Sequence, residues 1–294
     1  IGVLTGSLLF GVIVDRFGYK LLLVVSALFT SLGIEGLSIF ENLNVLRICI
    51  FFIGLGGGML NGATNALASD ISNDKERGAK LSILGVCYGI GALGMPLLLG
   101  MLSGTYSSQI ILQGTGLVMF AAIFYFIVIK FPEPKIKQGF PVKQAIQLIK
   151  EPLLLFLSFF LFFQSGMEGL INNWTTSYLD GRTAISSDDV VLSLTFFILG
   201  MTVFRLLLSY ILPIIKNEYI LLGGIMTAII GLLILHYAGD LRIAAVSLFI
   251  AGFGLAAGFP VIISYIGTSY KNMSGTAIGF AMVIALIGNT LMNY

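Results

Sequence analysis

Residues 11–20 read GVIVDRFGYK and separate two long apolar runs of the chain. Gly18 permits a tight turn at this point, and Asp15 can cap the start of a helix or pair with a cation. Arg16 and Lys20 suit the headgroup region of a bilayer, where long cationic side chains remain hydrated. The stretch is therefore typical of a short turn between two membrane-spanning helices.

The composition extends this interpretation to the whole chain. The 294 residues are 57% hydrophobic and 10% charged, whereas soluble domains carry about 25% charged residues. The net charge is only +2, and the charges form short clusters without a basic face for nucleic acid. These values exclude ordinary soluble, disordered and nucleic-acid-binding proteins. At about 20 apolar residues per span, the chain holds roughly ten helices in a lipid bilayer.

Ten apolar runs are predicted to be membrane-spanning helices, which makes this an all-α membrane protein. Strands of a membrane barrel would instead alternate apolar and polar residues over segments of about 10 residues. The breaks between the runs contain Gly, Pro, Asn, Asp and charged residues, as turns do. The predicted spans are 1–14, 20–40, 45–69, 81–103, 109–130, 152–173, 190–212, 219–237, 242–266 and 276–294.

Basic residues predict the orientation of the chain, because Lys and Arg concentrate in cytoplasmic loops. Alternate breaks hold the following basic residues: Arg16, Lys20, Lys75, Arg77, Lys80, Lys130, Lys135, Lys137, Lys143, Lys150, Lys216 and Lys271. The opposite breaks hold only Arg47, Arg182 and Arg242. The first set is therefore expected to face the cytoplasm of a multi-pass protein in a bacterial inner membrane.

A linker is predicted at residues 131–151, which read FPEPKIKQGFPVKQAIQLIKE. Three prolines interrupt this stretch, and a short amphipathic segment from Val142 to Lys150 follows them. The linker divides the chain into an N-terminal helical bundle at 1–130 and a C-terminal helical bundle at 152–294.

An internal repeat relates the two bundles at an offset of 198 residues. The matched pairs are Gly33 with Gly231, Gly54 with Gly252, and Gly56 with Gly254. Spans 109–130 and 152–173 have no partner at this offset, so their mates are expected past Tyr294 and before Ile1. The full protein is then expected to contain twelve helices in two parallel six-helix repeats, of which ten are present here.

The 11–20 stretch resembles the signature loop of the major facilitator superfamily, G-x-x-x-D-R-x-G-R-K, in which it joins the second and third helices. Tyr19 stands where that pattern has a basic residue. The resemblance implies the twelve-helix transporter fold, with the present chain covering helices 2–6 and 7–11. In the family this loop latches the cytoplasmic face when the transporter is open outward. The implied cytoplasmic gate consists of Gly11, Asp15, Arg16, Gly18, Lys20, Asp70 and Arg77.

Further patterns are similar to the fucose permease branch and its glucose/galactose-transporting relatives. They are Gly54 to Gly58 with Asn61, Arg77-Gly78, Tyr88 to Ala92, Glu168 with Trp174 and Tyr178-Leu179, Gly200-Met201 before Arg205, and Gly252 to Gly254 with Phe259-Pro260. Each pattern is loose by itself, but their order and spacing together favour a sugar transporter. In the fifth helix, Gly94-Met95-Pro96 lacks the adjacent Gly and Pro of drug antiporters.

Glu168 is the strongest candidate functional residue, since ionisable groups inside a membrane span are costly. Gln164, Glu168 and Asn172 are four residues apart and so share one face of a helix. Amide and carboxylate groups suit the hydroxyls of a sugar, and a desolvated carboxylate can carry a proton. Substrate or proton binding and a structural hydrogen bond between helices both remain open interpretations.

Other polar and aromatic residues complete the predicted substrate site. Asn61 and Asn65 repeat the four-residue spacing in the first bundle, and Trp174 offers a flat face to the C–H surface of a sugar. Phe259 follows the glycine-rich bend near Pro260, and Asn289 lies in the last span. Helix packing is the alternative interpretation for each of these side chains.

The sequence therefore predicts a secondary active transporter that couples uptake of a sugar, or a similar small polar solute, to a proton or a sodium ion. The alternatives are a drug or metabolite exporter of the same superfamily and a transport-inactive membrane receptor. An enzyme is not expected, because the single histidine has no Ser or Cys nucleophile beside it in sequence. No cofactor, metal or nucleic-acid partner is predicted.

Overall fold

The computed structural model describes residues 1–136, 142–180 and 187–294, and every regular element within these ranges is helical. Residues 137–141 of the predicted linker and residue Arg182 lie outside the described residues. The helices are α1 (Gly2–Phe17), α2 (Tyr19–Ile39), α3 (Leu43–Asp70), α4 (Arg77–Ser103), α5 (Ser108–Val128), α6 (Val142–Ile149), α7 (Pro152–Asp180), α8 (Ser187–Ile211), α9 (Asn217–His236), α10 (Leu241–Leu255), α11 (Gly258–Ser269) and α12 (Ser274–Asn293). The prediction of an all-α protein is confirmed for this part of the chain.

Nine helical segments of the described chain are long and apolar enough to cross a bilayer. They coincide with nine of the ten predicted spans, and the tenth is α1, which has 16 residues. One segment, Leu241–Ser269, contains both α10 and α11. The short α6 lies on the amphipathic stretch predicted within the linker.

The described chain forms two compact units. Unit 1 comprises Ile1–Ile71, Leu97–Ser158 and Ile266–Val283, and unit 2 comprises Ser72–Pro96, Phe159–Tyr265 and Ile284–Tyr294. In unit 1 the fully buried ring of Phe10 lies against Gly62 of α3. In unit 2 the fully buried Phe197 and Leu248 belong to one apolar core with Ile171 and Leu235. The bundles at 1–130 and 152–294 remain a prediction.

The packing of α2 on α3 recurs in the packing of α9 on α10. A Cβ atom built on Gly33 would lie 2.7 Å from the carbonyl oxygen of Cys49, and one on Gly231 would lie 2.8 Å from that of Ser247. Both the glycines and their contact partners are 198 residues apart. Each glycine lets two helix backbones approach closely, as small residues do in membrane proteins.

Further contacts follow the same offset. A Cβ on Gly56 would lie 2.5 Å from the Ser26 carbonyl oxygen, and one on Gly254 would lie 2.5 Å from that of Gly224. In a third pair, Gly2 approaches the Phe51 carbonyl, and Gly200 approaches the Phe249 carbonyl in the same way. The repeat read from the glycines is therefore a repeat of three-dimensional packing contacts within each unit.

The glycine run of α3 provides a direct test of this packing. Replacing Gly58 with Ala should lower the stability of the protein by about 1–3 kcal/mol, because the added methyl group overlaps the Val3 carbonyl oxygen of α1. A Cβ on the adjacent Gly57 meets nothing within 4 Å. Gly57→Ala should therefore be neutral or stabilise the helix by up to about 1 kcal/mol. Thermal unfolding of both variants in detergent measures the difference, and equal midpoints would contradict the packing.

The predicted span at 242–266 is interrupted between α10 and α11. Residues 256–257 separate the two helices, and Pro260 lies at the third position of α11. Proline has no N–H, so it cannot bond the carbonyl four residues earlier. Pro260 therefore leaves the Ala256 carbonyl without its helical partner, and the end of α10 at Leu255 leaves the last carbonyls of that helix in need of other partners inside the membrane.

Candidate functional site

Asp15 lies near the end of α1, where its side chain is only 1% exposed. Its carboxylate accepts hydrogen bonds from Thr276 N at 2.8 Å, from Thr276 Oγ1 at 2.7 Å and from Gly275 N at 3.2 Å. Gly275 and Thr276 form the first turn of α12, whose free N–H groups and dipole favour a negative charge. Asp15 therefore caps the start of a helix that lies 260 residues later in the chain.

Two glycines of the signature loop make this contact possible. A Cβ on Gly11 would overlap the Gly275 carbonyl oxygen, so a side chain there would push α1 away from α12. Gly18 has φ +85°, a conformation that other residues rarely adopt, and a Cβ there would lie 3.1 Å from the Pro134 ring. The close approach of α1 to α12 thus depends on glycine at position 11, and the turn between α1 and α2 depends on glycine at position 18.

Asp70 at the end of α3 forms a second part of the same cluster. It accepts hydrogen bonds from the Tyr19 hydroxyl and from Ser274 Oγ, the latter at 2.7 Å, and it lies 2.7 Å from Lys135 Nζ. Lys135 also donates to Ser274 Oγ. We call these residues the Asp15–Asp70 cluster: Asp15, Tyr19, Asp70, Lys135, Ser274 and Thr276.

The other three predicted gate residues do not belong to the Asp15–Asp70 cluster. Arg16 is exposed, with its guanidinium carbon 5.0 Å from the centre of the Phe17 ring, and Lys20 is exposed. Arg77 belongs to unit 2, where its Nη1 lies 2.8 Å from Asp74 Oδ1. The cation that pairs with Asp70 is Lys135 of the linker.

A separate polar network lies in unit 2, in the middle of α7. Gln164 is 9% exposed, and its Nε2 donates to Glu168 Oε1 at 2.8 Å and to the Leu255 carbonyl at 2.6 Å. Leu255 is the last residue of α10, so the interrupted span supplies the acceptor. The polar face predicted on α7 thus meets the helix break, which gives Gln164 a fixed position beside the Glu168 carboxylate.

Arg205 of α8 is the cation of this region and is 7% exposed. Glu168 and Tyr88 are the ionisable neighbours that act on it electrostatically. Its aliphatic stem lies over Gly85 of α4, where a Cβ would come within 2.6 Å of Arg205 Cδ. We call Gln164, Glu168, Arg205 and the Leu255 carbonyl the Glu168 network.

The other predicted ligands of unit 2 have varied environments. Asn172 is exposed and donates to the Glu168 backbone carbonyl at 2.8 Å, and Trp174 is 51% exposed. Phe259 is partly buried in α11. Asn289 Nδ2 donates to the Ser165 carbonyl at 2.9 Å, which joins α12 to α7. Asn289 therefore makes a helix-to-helix hydrogen bond.

Asn61 and Asn65 lie in unit 1 on α3. Asn65 is buried and donates to the Asn61 carbonyl at 2.8 Å and to Asn61 Oδ1 at 3.1 Å, while Asn61 is exposed. The four-residue spacing thus brings the two amides together on one face of the helix.

Sequence reasoning did not identify several members of these clusters. Tyr19 departs from the basic residue of the signature loop, and its hydroxyl supplies a donor to Asp70. Lys135, Ser274 and Thr276 carry no local signal, because their partners lie far away in the chain. Arg205 stands out in the sequence as a cation inside an apolar span, but its sequence position favours a structural role at the end of its helix and does not place it near Glu168.

Apolar helices of membrane length, repeated close packing and a buried polar network define a multi-pass integral membrane protein. The model of the Major Facilitator Superfamily matches residues 1–292. The chain therefore belongs to the major facilitator superfamily and is a transporter rather than an enzyme, as predicted.

Two curated relatives align with most of the chain. One is the uncharacterized MFS-type transporter YfkF of Bacillus subtilis, 24% identical over 266 residues, which are 90% of this chain and 68% of that protein. The other is the cis,cis-muconate transport protein of Acinetobacter baylyi, 27% identical over 306 residues, with 98% of this chain and 73% of that protein covered.

Solved structures confirm the predicted fold. The Escherichia coli fucose:proton symporter FucP superposes with a TM-score of 0.83 at 15% identity, over 99% of this chain and 80% of that chain. The proton:xylose symporter XylE superposes with a TM-score of 0.78 at 16% identity, over 100% of this chain and 76% of that chain. At these identities the likeness establishes the fold alone.

Proposed function

We propose that this transporter couples the uptake of a small polar solute, such as a sugar, to the movement of protons. The solute binds near the Glu168 network, and Glu168 carries the coupled proton. The protein acts in the bacterial inner membrane, with the Asp15–Asp70 cluster on the cytoplasmic side.

The position of Glu168 is the observation that carries this proposal. Its carboxylate lies inside a membrane span and receives a hydrogen bond from Gln164, which is itself held by the Leu255 carbonyl. An ionised carboxylate at this depth is costly, and either the binding of a proton or a nearby cation reduces that cost. Arg205 is such a cation. A carboxylate of this kind can take up a proton from one side of the membrane and release that proton to the other side.

The relatives support a small polar solute without deciding its identity. FucP and XylE are proton symporters of fucose and xylose and share the fold of this chain. The sequence relative from Acinetobacter transports cis,cis-muconate. A sugar remains the proposal because amide and carboxylate side chains on one face of α7, with Trp174 beyond them, suit hydroxyl groups.

The Asp15–Asp70 cluster supports alternating access. In this proposal the hydrogen bonds from Thr276 and Gly275 to Asp15 hold the cytoplasmic end closed, and they separate when the solute is released inward. Hydrogen bonds to a charged group are worth about 1.5–3 kcal/mol each. Opening the cytoplasmic end breaks these bonds, so the binding of solute and proton must favour the inward-open state over the closed one.

Uptake by proteoliposomes of the full-length protein tests the proposal. Labelled monosaccharides should accumulate when the outside is more acidic than the inside, and dissipating the pH gradient with a protonophore should stop the accumulation. A sodium gradient at constant pH should not replace the proton gradient. Loss of solute from loaded vesicles without any uptake would favour an exporter, whereas binding without flux in either direction would favour a receptor.

A further inference from the structure

Arg205 is a buried cation that forms no ion pair with another described residue. It is 7% exposed, and its Nε has no hydrogen-bond partner within residues 1–136, 142–180 and 187–294. Ion pairs among the described residues include those of Arg77 with Asp74, Lys80 with Glu76, and Lys135 with Asp70. None of them involves Arg205, although Glu168 is close enough to act on its charge.

The structure holds this guanidinium in place. The stem of Arg205 packs over Gly85, with Gly85 so close that a Cβ there would meet Cδ, Nε and Nη1 of the arginine. One helical turn away, a Cβ on Gly89 would overlap the hydroxyl of Thr202, so α4 and α8 approach closely on both turns. These contacts place the stem of Arg205 against α4, in the part of the span where α4 and α8 approach each other closely.

An arrangement of this kind needs an anion. A buried charge is strongly unfavourable unless it is paired, and an arginine inside a span almost always faces a partner or a water-filled space. Guanidinium groups bind carboxylates through two parallel hydrogen bonds, for which their planar shape is well suited. Glu168 is a carboxylate within electrostatic reach, but its Oε1 is already occupied by Gln164 Nε2.

We propose that Arg205 binds a carboxylate of the transported solute, so that the solute is a small hydroxylated organic acid such as a sugar acid. This inference rests on the proposed transport function and specifies the substrate class of the same site. Gln164, Asn172 and the free edge of Glu168 would face the hydroxyl groups of the acid, while Arg205 holds its charged end.

Charge balance then links the proton to the solute. With Glu168 ionised, the pair of Glu168 and Arg205 is neutral and attracts an anion weakly. When Glu168 gains a proton, one positive charge remains and the carboxylate of the solute neutralises it. One proton and one monoanion therefore enter the site together, and no net charge crosses the membrane with them.

Matched pairs of acids and neutral analogues test the inference on the full-length protein in detergent. The probes are two hydroxylated monoanions with their neutral analogues, D-glucuronate with D-glucose and D-gluconate with D-sorbitol. Each is used at a concentration well above a millimolar dissociation constant. At least one acid should raise the unfolding temperature by about 3 °C or more, and its neutral analogue should not. Failure of both acids to stabilise the protein, or equal stabilisation by their neutral analogues, would overturn the inference.

Variants assign the effect to Arg205. Arg205→Gln should weaken binding of the acid by about 100-fold, because a buried charge pair is worth several kcal/mol, and Arg205→Lys should weaken it less. Arg242→Gln, which removes an exposed arginine of α10, is the matched control and should bind as the wild type does. Acid binding that survives in Arg205→Gln would overturn the inference. If Arg205→Gln does not fold, the acid and neutral pairs on the wild type still decide.

Flux separates this inference from the proposed function. Gradient-driven uptake of a neutral sugar that is equal in the wild type and Arg205→Gln would preserve the transporter proposal and overturn the carboxylate site. Acid binding that depends on Arg205, without flux in either direction, would preserve the carboxylate site and overturn the transport proposal.

Discussion

Replacing Glu168 with Gln is expected to abolish accumulation of solute against its gradient while exchange of solute continues. Glutamine keeps the size of the side chain and an oxygen that can accept from Gln164 Nε2, but it cannot gain or lose a proton. With one proton per solute, each pH unit across the membrane drives about tenfold accumulation. The variant should equilibrate at a ratio of about one, and counterflow of labelled solute should persist.

A carboxylate outside the membrane spans provides the matched control. Glu41 is exposed in the connection between α2 and α3, and Glu41→Gln removes the same charge without touching the Glu168 network. It should accumulate solute as the wild type does. Undiminished accumulation by Glu168→Gln would remove Glu168 from the coupling role.

The replacement of Asp15 by Asn should reduce the initial rate of uptake by at least about tenfold, since each charge-assisted hydrogen bond is worth about 1.5–3 kcal/mol. Asn has one acceptor oxygen, and its amide group would face the donors of Gly275 and Thr276. The closed cytoplasmic end should be less populated, while solute binding in detergent is retained. Uptake rates and solute-dependent unfolding temperatures, measured on the same preparation, separate the two effects.

Glu76→Gln is the appropriate control for Asp15→Asn. Glu76 forms an exposed pair with Lys80 at 3.1 Å, and exposed pairs contribute about 0–1 kcal/mol. Its loss should leave uptake unchanged. An Asp15→Asn variant that transports at the wild-type rate would contradict the role of the Asp15–Asp70 cluster as a gate.

Long apolar runs made the fold predictable from the sequence. The predicted spans fall on helices because a backbone inside lipid must satisfy its own hydrogen bonds, which leaves few alternatives to a helix. The glycine offset was predictable for a related reason. Gly33 and Gly231 sit where two backbones touch, and any side chain there would separate the helices.

Contacts between distant parts of the chain could not be predicted from the sequence in the same way. The four-residue spacing placed Gln164 beside Glu168, but nothing in the sequence connected Gln164 to the Leu255 carbonyl, which is free because α10 ends there. Lys135 lies in a linker rich in charged residues, and its pairing with Asp70 depends on how that linker returns to α3. Local patterns predict helices and their faces, whereas the partners of each polar group depend on tertiary packing.

The pH change that accompanies solute uptake tests the central claim most directly. Unbuffered proteoliposomes of the full-length protein should take up one proton from the medium for each solute molecule that enters, and Glu168→Gln should move solute without any pH change. Solute entry in the wild type without proton uptake, or the same proton uptake in Glu168→Gln, would contradict the account of Glu168 as the proton carrier.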